Sequence, residues 1–289
     1  MNTNWIIITG ASGGIGRNLS ELLADMDYGV IMACRNMEKA SPIFEDVKYI
    51  TSNRDMRLFE LDLSSFESIK NFVRQVDEKG YNVRALVNNA GVISRGFSTT
   101  ADGFETTVGV NYIGTYLLTR LMMPILKRSE GLSRIMNTVS VMAKLGRVEK
   151  DFFTPKEEGF RRLRTYACSK LALMMFTQSL AERLKGSDSV VVNAYDPGVV
   201  NTDMITMGKW FDPLANIFLR PLLKNAEKAA SQQCDALFPE KERGSGWVYK
   251  GNRHFRIRDF AASHRNKDWL FMQTERILVR DFGVSLEKI

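Results

Sequence analysis

The chain has 289 residues, 44% hydrophobic and 25% charged, which is the balance of a folded globular protein long enough for one large α/β core or two small ones. Its net charge of +7 comes from basic residues spread along the chain, with modest clusters at Arg161, Arg162, Arg164 and at Arg253, Arg256, Arg258, which reads as a solvated basic face and gives no reason to expect nucleic acid as a partner. Three scattered cysteines (Cys34, Cys168, Cys234) without a CxxC pair, and only two histidines, argue against a disulfide frame and a metal site, and no apolar run approaches the ~20 residues of a membrane span.

Elements follow one another in a strict rhythm. The run "WIIIT" predicts a first strand, and Met1 leads almost directly into it, leaving no room for a signal peptide, so the cytoplasm is the expected compartment. "IGRNLSELLADM" predicts a helix, Val30 to Cys34 a second strand and "MRLFELDL" a third. "SSFESIKNFVRQVDEKG" carries a Ser cap and a Gly stop around a helix. "RALVNNAG" is a fourth strand entering a turn, and a long helix is expected over about 103–127. "SRIMNTVS" is a fifth strand, "FRRLRTYACSKLALMMFTQSLAERLKG" a long amphipathic helix, and "SVVVNAYDPG" a sixth strand ending at Pro197. The last ninety residues are less regular, with "NAEKAASQQCDALF" helical, "GWVYK" a candidate seventh strand and "DWLFMQTERILV" a terminal helix. Alternation of this kind predicts a doubly wound parallel sheet of about seven strands with helices on both faces, and ligands beyond the carboxyl ends of its strands.

The stretch "TGASGGIG" stands at such a strand end. A helix N-terminus exposes unpaired N–H groups and positive dipole charge, and Gly10, Gly14 and Gly16 remove the Cβ atoms that would hold a phosphate away. The spacing is T-G-x-x-x-G-x-G, not G-x-G-x-x-G, and on its own it is equally a tight strand-to-helix turn. Together with "NNAG" at 88–91, Tyr166-x-x-x-Lys170 and Pro197-Gly198 it resembles the short-chain dehydrogenase/reductase family. "ACRN", "FETTVGVNYIGTYLLT", "YACSKLALMMFTQSLAERLKG", "DPGVVNTDM" and "DWLFMQTERILVRDFG" are similar to its retinol dehydrogenase-like branch. The resemblance covers essentially the whole chain. It implies one Rossmann-type domain over 1–289, with a substrate-loop region at about 197–225 and a C-terminal extension at about 250–289.

Tyr166 and Lys170 are four apart on a predicted helix and share a face. An ammonium beside a phenol favours the phenolate and lowers its pKa from near 10; in isolation the same pair is a core tyrosine and a snorkelling lysine. By resemblance, Tyr166 protonates the substrate oxygen, Lys170 also binds the nicotinamide ribose, Ser140 hydrogen-bonds the substrate oxygen, and Asn111 holds a water linking Lys170 to solvent. An ordinary packing role for Asn111 stands beside that reading. The insert "KLGRVEKDFFTPKEEGFRRLR" is expected near the site's mouth.

The cofactor-binding set implied by resemblance is Gly10, Ser12, Gly13, Gly14, Ile15 and Gly16 at the glycine turn, Arg35 and Asn36 after the second strand, and Asp62 and Leu63 at the adenine. It continues with Asn89, Ala90 and Gly91 under the ribose, Tyr166 and Lys170, and Pro197, Gly198, Val200 and Thr202 at the carboxamide. Cys34 occupies the position where an NAD site offers an acidic residue, and Arg35 can fork onto a 2′-phosphate, so NADP(H) is favoured and NAD(H) is the alternative. Asp196 either selects a polar substrate group or turns outward and caps the loop. Met, Trp, Phe and Leu in 204–225 suggest an apolar pocket or lid, with contact to a membrane interface or a partner chain as the other use. The expected function is an oxidoreductase moving hydride between NADP(H) and a lipophilic or aromatic carbonyl/alcohol substrate, in a weakly held homo-oligomer. The competing class is a nucleotide-sensing or scaffold protein without turnover.

Overall fold

Ile6, Ile7 and Ile8 have no exposed surface at all, and the strand that carries them lies in the middle of a sheet buried on both faces. The computed structural model describes residues 3–154, 156–198, 225–257, 266–287 and 289. Its strands are β1 (Asn4–Thr9), β2 (Gly29–Cys34), β3 (Met56–Glu60), β4 (Asn82–Asn88), β5 (Ser133–Thr138), β6 (Val190–Tyr195), β7 (Trp247–Lys250) and β8 (Arg253–Arg256). The sheet order is β3-β2-β1-β4-β5-β6-β7-β8. All neighbours are parallel except β8, which pairs antiparallel with β7.

Helices α1 (Gly14–Asp25), α2 (Met37–Thr51) and α7 (Ala226–Leu237) cover one face. Ile6, Ile8, Val30 and Met32 point into that layer. Ile7, Ile31, Leu86 and Ile135 point the other way, into α3 (Phe66–Glu78), α5 (Thr115–Arg128), α6 (Arg162–Arg183) and α8 (Lys267–Arg276). Period-two side-chain alternation on strands buried from both sides accounts for this division. A short α4 (Thr106–Val108) and a π-helical turn (Gly109–Gly114) run directly into α5.

The sequence rhythm gave about seven strands, and eight form among the described residues. The extra one, β8, is a charged edge strand, "RHFR", folded back on β7 through Gly251 at φ +56°. Helix α2 also lacks a clear sequence signal, because Pro42 lies inside it; Asn36 starts it by accepting from the Lys39 N–H at 2.9 Å. The strand order reverses between β1 and β4, so the crevice beyond their carboxyl ends opens between Gly10 and Asn89. No helix among the described residues is long and apolar enough to cross a membrane.

Candidate active site

The glycine turn leaves β1 through Gly10 at φ +65° and enters α1 through Gly14 at φ +52°, conformations that side chains disfavour. Gly16 answers to space instead: a Cβ there would lie 2.4 Å from the Gly10 carbonyl oxygen and 2.8 Å from Asn89 Nδ2. Gly13 answers to neither. Its backbone is extended, at φ −162°, and a Cβ would meet nothing within 4 Å. Gly13 stands at the N-cap of α1 with no side chain capping the helix and no acidic residue in its first turn. The N-terminal amides and a bare, open glycine therefore form a cradle that suits a phosphate. Ile15 is buried beneath it and Ser12 is half-buried at its rim.

Thr9 joins this turn to its neighbour. Its Oγ1 accepts the N–H groups of Asn89 at 3.0 Å and Ala90 at 2.9 Å, and the Asn89 amide returns a bond to the Thr9 carbonyl at 3.0 Å. Beyond β2, Arg35 is exposed. The Cys34 thiol is buried, and burial raises its pKa although the Ser12 hydroxyl acts against this. Asn36 is committed to capping α2. Asp62 holds its own turn, accepting from Ser64 N at 2.8 Å and Ser64 Oγ at 2.6 Å. Gly114 lets the π-turn approach the Leu63 carbonyl, where a Cβ would lie 2.1 Å from that oxygen.

A second group gathers around the end of β5. Ser140 follows that strand, is buried, and accepts from Met142 N at 3.2 Å to start a 3₁₀ turn (Val141–Leu145). Gly146 closes the turn against α6: a Cβ there would lie 2.5 Å from the Ala167 carbonyl oxygen and 2.9 Å from Leu171 Cβ. This close approach fixes Ser140 opposite Tyr166. Lys170 is buried, donates to the Thr138 carbonyl at 2.8 Å, and places Nζ 5.9 Å from the centre of the Tyr166 ring. A Cβ on Gly91 would sit 3.3 Å from both Lys170 Nζ and Asn111 Oδ1, so Gly91 brings the two groups of residues together. The Asn111 side chain is fully engaged: Oδ1 accepts from Val92 N at 2.7 Å, and Nδ2 donates to the Val92 carbonyl at 2.9 Å and to Ser169 Oγ at 3.0 Å.

Burial pushes Lys170 down to about 8. Burial also raises the Tyr166 phenol above its ordinary value; the Ser140 hydroxyl lowers it and the Asp196 carboxylate adds to the rise. The expectation that a neighbouring ammonium brings the phenol down is thus corrected. Desolvation outweighs it, and the ammonium is itself destabilised and tied to Thr138. Asp196 does not turn outward. It is wholly buried, with Oδ1 accepting from Gly198 N at 2.9 Å and Oδ2 paired with Lys250 Nζ at 3.0 Å.

Pro197 is buried, and Gly198 follows it at φ +76°. The expected positions Val200 and Thr202, and residues 204–224 of the apolar stretch, lie outside the described residues. The insert after Ser140 is pinned inward, with Phe152 against Tyr112 at 5.6 Å and Phe153 against Trp269 at 6.2 Å between ring centres. Sequence reasoning passed over Thr9, Thr138 and Gly146. Only Thr9 had a visible signal, as the residue on which the first apolar run stops.

A family model described as short chain dehydrogenase matches residues 4–209. Retinol dehydrogenase 13 of Homo sapiens is 39% identical over 199 residues, which is 69% of this chain and 60% of that protein, so the match spans less than two thirds of the relative's length. Retinol dehydrogenase 11 of Homo sapiens is 36% identical over 226 residues, covering 77% of this chain and 70% of that one. A short chain dehydrogenase from Shigella flexneri 2a, solved in complex with NADP, shares the fold at a TM-score of 0.68 and 22% identity, covering 88% of this chain and 98% of that chain. With the matched segment running from β1 through the glycine turn, Ser140, Tyr166, Lys170 and Pro197, the chain belongs to the short chain dehydrogenase family.

Proposed function

We propose that the protein is an oxidoreductase that uses NADP(H) to interconvert a lipophilic or aromatic carbonyl and its alcohol. The observation that carries this reading is the convergence of Ser140, Tyr166 and Lys170 at the end of β5, next to the Gly91 turn that borders the nucleotide cradle. A nicotinamide dinucleotide, when bound, supplies or accepts the hydride. Gly10, Ser12, Gly13, Gly14, Ile15 and Gly16 would hold its pyrophosphate, with Asp62, Leu63, Asn89, Ala90 and Gly91 around the adenosine. Pro197 and Gly198, with Val200 and Thr202 after them, would border the carboxamide. Arg35 would take the 2′-phosphate, since the neutral, buried Cys34 thiol replaces the carboxylate that would repel it.

The chain's own residues manage oxygen and proton. Tyr166 keeps its proton at neutral pH because burial disfavours the phenolate, which suits a donor to a developing alkoxide. Ser140 hydrogen-bonds the same oxygen and fixes it beside the phenol. Lys170 presents a buried ammonium within reach of the phenol's field, and its remaining N–H groups are available to a ribose. Asn111 braces Val92 and Ser169, so its side chain serves this site by holding the Gly91–Val92 turn against α6. Binding without turnover is the competing outcome.

The test is NADPH consumption with retinaldehyde and a panel of aliphatic and aromatic aldehydes, for wild type and Tyr166→Phe. Wild type is expected to reduce at least one of them, and Tyr166→Phe to lose ~10²–10⁴-fold in turnover or more while still binding NADPH. NADPH binding with no reduction of any member would leave the competing class standing.

A further inference from the structure

Asp196 is a buried carboxylate that the assignments above do not use. It lies between the ends of three strands. The Val139 N–H donates to the Tyr195 carbonyl at 2.8 Å, which places the Ser140 exit of β5 beside Asp196, and the Asp196 N–H donates to the Tyr249 carbonyl of β7 at 2.8 Å. Its two oxygens are divided: Oδ1 takes the Gly198 N–H, holding the turn after β6, and Oδ2 takes the Lys250 ammonium at the end of β7. Lys250 keeps 35% of its side chain exposed, whereas Asp196 has none. A wholly buried charge costs several kcal/mol unless it is compensated, and an apolar residue would fill this position without that cost. What distinguishes the carboxylate is its charge: the Val139–Tyr195 bond sets it beside Ser140, whose hydroxyl faces the Tyr166 phenol, and from there it favours the protonated phenol. Among the described residues the groups that bear on that phenol are Ser140, Lys170 and Asp196, and of these Asp196 is the anion.

We propose that Asp196 and Lys250 form an ionic latch that positions the Pro197–Gly198 turn and places a metered negative charge behind Tyr166, making Asp196 a positioning residue for proton transfer. The carboxylate favours the phenol form, the state required of a proton donor. Lys250, from the half-exposed side, offsets part of that charge. The latch rests on the reading of Tyr166 as the donor.

The experiment measures phenolate absorbance against pH in the protein without substrate, each variant being compared with its own Tyr166→Phe counterpart so that the difference isolates one phenol. The high-pH limb of carbonyl reduction is recorded in parallel. Asp196→Asn keeps the acceptor for Gly198 N and removes the charge. It should move the Tyr166 titration to lower pH by roughly half a unit to one unit. Lys250→Gln should move it to higher pH in the wild-type background and leave it unmoved in the Asp196→Asn background. A titration that stays in place in both single variants, or a Lys250→Gln effect of equal size in the two backgrounds, would overturn the latch. Should Asp196→Asn fail to fold, an unmoved titration in Lys250→Gln overturns it alone. Because the absorbance signal needs no turnover, an intact shift in a protein that reduces nothing would fault the functional reading and not the latch.

Discussion

The Lys170 ammonium is bonded to the Thr138 carbonyl at 2.8 Å, so the site's buried cation is anchored to the end of β5 and not to the phenol one turn away. One carbonyl does not replace a hydration shell, which is why burial pulls this lysine down to about 8. In the unfolded chain the group titrates near 10.4. Below pH 8 both states carry the proton and the folded state bears the full penalty. Between about 8 and 10.4 the unfolded chain binds more protons, so stability from this group rises with pH. Lys170→Met should therefore abolish turnover yet gain on the order of 2–3 kcal/mol at pH 7, less the lost hydrogen bond. That advantage should shrink toward zero near pH 10. Urea denaturation of both proteins at the two pH values checks it.

Gly13 and Gly16 separate what the protein needs from what a ligand needs. Gly16→Ala drives a Cβ into the Gly10 carbonyl, a clash of backbone on backbone that should cost about 1–3 kcal/mol or more. Gly13→Ala meets no protein atom and needs no unusual backbone, so it should cost no more than about 0.5–1 kcal/mol, the preference of an N-cap for glycine over alanine. Its NADPH affinity should nonetheless fall sharply. Thermal melts and fluorescence titration on the pair decide the matter.

Arg35 is exposed at the end of β2 with no acidic residue at position 34 to oppose a phosphate. Arg35→Ala should weaken NADPH by ~1.5–3 kcal/mol, the worth of a lost charge-assisted bond, and NADH hardly at all. Equal losses for the two nucleotides would remove Arg35 from this role, and wild-type preference for NADH would reverse the cofactor assignment.

The C-terminal region is tied to α5 by a buried charge. Arg120, only 2% exposed, pairs with Glu275 at 2.7 Å and donates to the Glu287 carbonyl at 2.7 Å. Glu275→Ala leaves the guanidinium buried and unpaired. The expected loss is about 3 kcal/mol, the lower end of the range for broken buried pairs because Glu275 is itself partly exposed. Arg120→Met with Glu275→Leu should cost less than Glu275→Ala alone. Denaturation midpoints of the three proteins test this ordering.

Helical periodicity puts Tyr166 and Lys170 on one face, but the pair was legible as a site only through the resemblance carried jointly by the glycine turn, "NNAG", Tyr-x-x-x-Lys and Pro-Gly; the parallel sheet was legible because apolar runs recur between amphipathic stretches. The residues that bind the site together were not. Thr138 acts through its carbonyl and Gly146 through a missing Cβ that lets the Ser140 turn touch α6, and neither leaves a local pattern. Asp196 could be singled out before Pro197-Gly198, but its inward orientation depends on Lys250, 54 residues further on. Helix α2 was hidden by Pro42, and β8 by charges that an edge strand tolerates.

The apolar stripe of α1, Ile15, Leu19 and Leu23, packs in one cluster with Ala229, Ala230 and Cys234 of α7. Tyr28 stacks on Phe238 at 5.0 Å, and Met26 and Cys234 touch across 208 residues of sequence. A ribosome adding ~5–20 residues each second needs roughly 10–40 s to cover that separation. Throughout that interval the first helix has been made and the surface that shields it has not. The nascent chain thus carries part of this apolar stripe uncovered even after β1 has gained β2 and β4 as neighbours, and exposed apolar surface of this kind is what lets a partly folded chain associate with another.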